Sequence, residues 1–223
     1  MSDPHGFPEP DAEARPPREP ILKAPWPVLA LIGALVGAYA WQVLVLGEAA
    51  YGRFGFVPAS LDDGRWSGLV TALFLHGGLL HLAMNTVAAL AFGAPVARYF
   101  GLSGRGPVLF YGFFLLTGVL ANYAFARLHP GLDAVLVGAS GAVFGLIGAA
   151  TRLLAGQGRL APILSAQVLG MSAAWIAVNV VFGGLVAAPG SQGATVAWEA
   201  HVAGYLAGLL LIGPFAWLAG RRP

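Results

Sequence analysis

Long apolar runs separated by short polar breaks dominate the chain. Runs able to cross a bilayer, which takes roughly 20 helical residues, cover residues 28–46, 79–96, 108–126, 163–187 and 200–218, and a sixth, Gly-rich run covers 135–154. Lipid offers no partners to exposed backbone groups, so each run is predicted to be a helix. The pattern predicts an all-α polytopic membrane protein, a compact bundle of six transmembrane helices in one membrane domain over residues 26–220. Residues 1–25, with seven prolines and five acids, have little apolar material to bury and are predicted to be a disordered cytoplasmic tail. Ala38-Tyr39-Ala40 resembles a signal-peptidase site, but the apolar run continues through Leu46 and the acidic tail is a poor leader, so the first helix is read as retained.

Composition narrows the solvent and the chemistry. Of 223 residues 57% are hydrophobic and 10% charged, outside the range of soluble globular domains. The net charge of +2 is spread over segment ends with no basic stripe, which argues against a nucleic-acid partner. The absence of cysteine excludes disulfides, thiol nucleophiles and thiolate metal sites. With the N-terminus inside, Arg15, Arg18, Lys23, Arg98, Arg105, Arg152, Arg159, Arg221 and Arg222 are cytoplasmic and only Arg53, Arg65 and Arg127 are outside, as the positive-inside rule prefers. The second, fourth and sixth helices then start at the outer face, and they carry His76, His81, Asn85, Ser140 and His201 at one depth.

Polar side chains inside a span are costly and mark function by default, although for a single histidine an interhelical hydrogen bond is the commoner role. Ser140 lies in Gly138-Ala139-Ser140-Gly141, followed by Gly145 and Gly148, a spacing that alone indicates close helix packing. His201, Gly204 and Gly208 share one helix face, and the glycines let a partner helix approach. If that partner is the fourth helix, Ser140 and His201 meet at one depth as a nucleophile and its base. A fourth helix starting at Ser140 is too short to span the hydrocarbon, so the serine lies below the outer surface and residues 131–139 descend as irregular backbone. His81 and Asn85, one turn apart, offer donors for an oxyanion, with the Ser140 N–H as a third. His76 is expected to brace the loop before the second helix.

Other protease chemistries fit poorly. His76-Gly-Gly-Leu-Leu-His81 lacks the glutamate and the spacing of a zinc site. No acid lies between Asp63 and Asp133, which leaves a paired-aspartate mechanism without carboxylates. Ser140 is followed directly by Gly141, which breaks the G-x-S-x-G elbow.

The ordered set His76-(x4)-His81-(x3)-Asn85, Gly138-Ala139-Ser140-Gly141 and Ala200-His201-(x2)-Gly204-(x3)-Gly208 resembles the rhomboid proteases. The resemblance spans about residues 66–210 and includes Leu73-Phe74-Leu75-His76-Gly77-Gly78. It implies a six-helix rhomboid-like core and a serine endopeptidase that cuts single-pass transmembrane proteins at or near the outer end of their helix. By this resemblance Ser140 is the nucleophile, His201 the base, and His81, Asn85 and the Ser140 N–H the oxyanion donors. Gly138, Gly141, Phe144, Gly204 and Gly208 shape the site. A dyad without an orienting acid is implied, with no cofactor and no metal. Residues 187–196 resemble the family's mobile cap, whose opening with the fifth helix would admit substrate. The chain departs from the pattern at Phe144, where many bacterial members carry Tyr, at Ala97, where Glu is frequent, and at Arg65-Trp66-Ser67, which lacks the typical Trp-Arg pair. The expected location is a bacterial inner membrane, with the active site near the outer face. Two rival readings are an inactive rhomboid-like protein that binds membrane helices and a small transporter using His81 and His201 as a proton relay. Neither needs Ser140 beside His201.

Overall fold

A computed structural model describes residues 24–185 and 197–221. Most of the predicted tail and the whole of the predicted cap, 187–196, lie outside the described residues. Among the described residues six long helices follow one another: α1 (Trp26–Trp41), α2 (Leu79–Phe100), α3 (Gly106–Leu128), α4 (Ser140–Ala155), α5 (Ala166–Asn179) and α6 (Trp198–Leu218). Wider, π-type turns extend α1 over Gln42–Leu46 and α5 over Val180–Leu185. The all-helical bundle expected from the apolar runs is what forms.

The ends follow local chemistry. Pro27 sits in the first turn of α1, where its missing N–H costs nothing. The Ser165 hydroxyl caps α5 by accepting from the Val168 N–H at 3.4 Å, which stops the helix short of the apolar run's start at residue 163. Within the run 135–154 the helix begins only at Ser140, because Gly138 takes a φ of +125° that other residues adopt at a cost.

Among the described residues, four helices are long and apolar enough to cross a membrane: Trp26–Leu46, Leu79–Phe100, Gly106–Leu128 and Trp198–Leu218. Their outward faces carry exposed residues such as Leu44, Val87, Val108 and Trp217, the surface expected where lipid is the solvent. The shorter α4 is the centre of the bundle. Its 16 residues span about 24 Å at about 1.5 Å each, against roughly 30 Å of hydrocarbon. It is buried from Gly141 through Leu153 except at the half-buried Phe144, and it packs most extensively on α6. Two glycine rows permit that contact: a Cβ on Gly204 would fall on the carbonyl of Gly141, and one on Gly208 on the carbonyl of Gly145.

The segment leading down to Ser140 is exposed over residues 131–135 and buried at Gly138 and Ala139, and main-chain hydrogen bonds tie it to the loops beside it. Phe56 and Leu136 exchange main-chain hydrogen bonds at 3.0 and 2.7 Å, the Ala59 N–H donates to the Leu132 carbonyl, and the Gly138 N–H donates to the Ala72 carbonyl at 2.9 Å. These bonds satisfy the irregular backbone at depth.

Candidate active site

Ser140 is the first residue of α4, a position whose N–H has no carbonyl one turn back. Its Oγ lies 2.8 Å from Nε2 of His201, which stands on the first turn of α6. The glycine contacts of α4 and α6 are what bring the two side chains together. Phe144, one turn below Ser140, stacks on the His201 ring with centroids 4.5 Å apart and planes 13° apart. The missing tyrosine hydroxyl does not prevent stacking, because the face of the ring makes the contact.

His81 lies across from this pair. A Cβ on Gly138 would come within 2.6 Å of the His81 ring, so only glycine lets the turn before Ser140 lie against that imidazole. Asn85 is buried one turn below, and its Nδ2 donates to the His81 carbonyl at 3.1 Å. The amide group keeps one further hydrogen for another acceptor. Gly141 faces α3, where a Cβ would meet the Ala121 methyl at 2.7 Å.

His76 is fully buried in the loop before α2, and its hydrogen bonds come from its main chain. Gln42 Nε2 donates to the His76 carbonyl at 2.8 Å, and the His76 N–H donates to Gln42 Oε1 at 3.0 Å. Neither ring nitrogen has a partner among the described residues, and the ring meets His81 edge-on at 5.2 Å. Burial, with the neighbouring His81, pushes the His76 imidazole down to about 4, so it stands neutral at physiological pH.

Two residues escaped the sequence reading. Asn179, the last residue of α5, places Oδ1 3.0 Å from His201 Nδ1. The expectation of an acid-free dyad therefore needs one addition: His201 has an orienting neighbour, and it is an amide. Gln42 is the other, the clamp on the His76 loop. Both are polar residues inside apolar runs, so the rule that selected His81, Asn85 and His201 applies to them as well. Among the described residues no group of histidines and acids could hold a metal ion.

A bundle of apolar helices around a short central helix, with a serine and a histidine in contact at the start of that helix, defines the class as a polytopic helical membrane protein. A Rhomboid domain model matches residues 63–217, and the chain belongs to the rhomboid family. It is 41% identical over 97 residues to Rhomboid protease GluP of Bacillus subtilis (strain 168), covering 43% of this chain and 18% of that protein. It is 36% identical over 86 residues to Putative rhomboid protease YdcA of the same organism, covering 39% and 40%. Over 206 residues it is 31% identical to Rhomboid-like protein 11, chloroplastic, of Arabidopsis thaliana, covering 89% and 65%. The chain thus spans less than half the length of the two Bacillus relatives and about two thirds of the Arabidopsis one. The helices and the family together make it an integral membrane protein.

Proposed function

We propose that the protein is an intramembrane serine endopeptidase that hydrolyses peptide bonds in or near the transmembrane helices of single-pass membrane proteins. The observation that carries this reading is the 2.8 Å contact between Ser140 Oγ and His201 Nε2 at the outer end of a helix too short to span the bilayer. His201 Nε2 takes the hydroxyl proton as Oγ attacks the scissile carbonyl carbon, and the carbonyl electrons move onto oxygen. His81, the remaining Asn85 amide hydrogen and the Ser140 N–H are the donors proposed for that oxyanion. Its collapse expels the amine, which takes the proton from His201, and leaves an ester on Ser140. Water, deprotonated by the same imidazole, then hydrolyses the ester and restores the serine.

The relatives named as rhomboid proteases support this reading over an inactive helix-binding protein. The Ser140–His201 contact supports it over a proton relay, which has no use for a serine there. The distribution of basic residues supports a cytoplasmic N-terminus and a site near the outer face, in a bacterial inner membrane. The test is cleavage of a single-pass reporter, with a small residue and a helix breaker near the outer end of its helix, by protein in a bilayer. The parent cleaves and is labelled at Ser140 by a fluorophosphonate, whereas Ser140→Ala and His201→Ala do not cleave. A folded parent that cleaves none of several reporters and takes no label would turn the reading to helix binding.

A further inference from the structure

We propose that Asn179 is a positioning residue for His201: its carboxamide oxygen accepts the Nδ1–H and holds the imidazole in the tautomer whose bare Nε2 faces Ser140. This rests on the reading of Ser140 and His201 just given, and it adds a part for α5, to which the resemblance assigns no chemistry.

The tautomer follows from which end of the amide faces the ring. Asn179 Nδ2 donates to the Trp175 carbonyl at 3.0 Å. A carbonyl only accepts, so the NH₂ end points back along α5 and the oxygen points at His201 Nδ1, 3.0 Å away. An amide oxygen also only accepts, so Nδ1 carries the hydrogen. A neutral imidazole has one N–H, which leaves Nε2 with a lone pair 2.8 Å from the Ser140 hydroxyl. In the other tautomer a lone pair on Nδ1 would face the amide oxygen, and Nε2–H would face the very hydroxyl whose proton must be removed.

The stacked Phe144 does not make this choice. Its ring lies parallel to the imidazole and so limits tilt, but a flat contact is the same for either tautomer. Asn179 acts in the plane of the ring. Because Asn179 is buried, water is a poor substitute for its oxygen. When His201 gains the proton from Ser140, Nδ1–H becomes a charged donor and the same bond strengthens. The effect depends on α5 lying against α6. A separate polar link also joins α5 to α6 and α4: Ser172 Oγ and Tyr205 Oη lie 2.8 Å apart, and Tyr205 Oη donates to Thr151 Oγ1 on α4 at 3.1 Å.

The test uses the full chain in lipid, with Asn179→Leu to keep bulk without the oxygen, Asn179→Asp to keep an acceptor, and Ser172→Ala to cut the separate polar link while leaving Asn179 in place. Nitrogen NMR of isotope-labelled histidine reads the tautomer directly and needs no cleavage. The parent and Asn179→Asp show His201 protonated at Nδ1, and Asn179→Leu shows the proton moved to Nε2 or shared. In the cleavage assay Asn179→Leu lowers kcat about tenfold or more with little change in KM, whereas Ser172→Ala leaves the tautomer intact. A parent with the proton on Nε2 overturns the inference, as does an Asn179→Leu variant with the parent's spectrum. A parent that fails to cleave counts against the protease reading alone, since the spectrum still decides the role of Asn179.

Discussion

Replacing Gly204 with alanine tests whether the α4–α6 glycine contact sets the site's geometry. The new Cβ would fall on the Gly141 carbonyl oxygen and lie 2.9 Å from the carbonyl carbon, where ordinary contact begins at 3.4 Å. Backbone atoms of a buried helix cannot swing aside, so the helices must part by about 0.5 Å for the carbon and by more for the oxygen. Gly204 is one turn from His201 and Gly141 adjoins Ser140, so the separation falls on their 2.8 Å contact and stretches it to the edge of hydrogen bonding. Overpacking of this kind costs about 1–3 kcal/mol of stability, and misplacing reacting groups by about 1 Å costs about 10²-fold in rate. The assay is reporter cleavage beside thermal unfolding in the same lipid, with Gly112→Ala as the control. A Cβ on Gly112 meets nothing within 4 Å, so that variant behaves as the parent. A Gly204→Ala protein with the parent's kcat and melting temperature would refute the reasoning.

Three further perturbations have distinct signatures. Gln42→Leu leaves the buried His76 N–H without its acceptor, while the His76 carbonyl keeps the Tyr51 hydroxyl at 3.3 Å; the one orphaned group costs about 1–3 kcal/mol, and unfolding measurements should register the loss. Gly138→Ala meets both a φ of +125° and the His81 ring; backbone strain alone costs about 1–3 kcal/mol, and the displaced His81 lowers kcat in the cleavage assay. His76 supplies a pH dependence. Its imidazole ionises near 4 in the fold against 6.5 ordinarily, so between these values the unfolded chain binds the proton and the fold does not. Stability is therefore full above about pH 6.5 and falls as the pH drops toward about 4, by up to about 3 kcal/mol. His76→Phe makes the slope shallower by that share; a variant with the parent's full slope would show that His76 carries none of the dependence.

The apolar runs determined the helices by themselves, because in lipid a backbone has almost no other way to satisfy its polar groups. They also placed the polar residues of α2, α4 and α6 at one depth, since rise per residue converts spacing into height. The small residues at 138, 141, 145, 204 and 208 were legible as close contacts, because a missing side chain is itself a distance. Which helix would touch which was conditional in the sequence: the approach of Ser140 to His201 required α4 to be the partner of α6, and only the packed bundle decides that. The same limit hid Asn179 and Gln42. Each is a lone polar residue in an apolar run, and whether such a residue caps its own helix, braces a loop or orients a catalytic ring depends on what the neighbouring helix presents. Asn179 became readable only when its NH₂ group was seen bound to Trp175 and its oxygen was left facing His201. Height along the membrane normal is written in the order of residues, whereas azimuth around each helix is settled by how the helices pack.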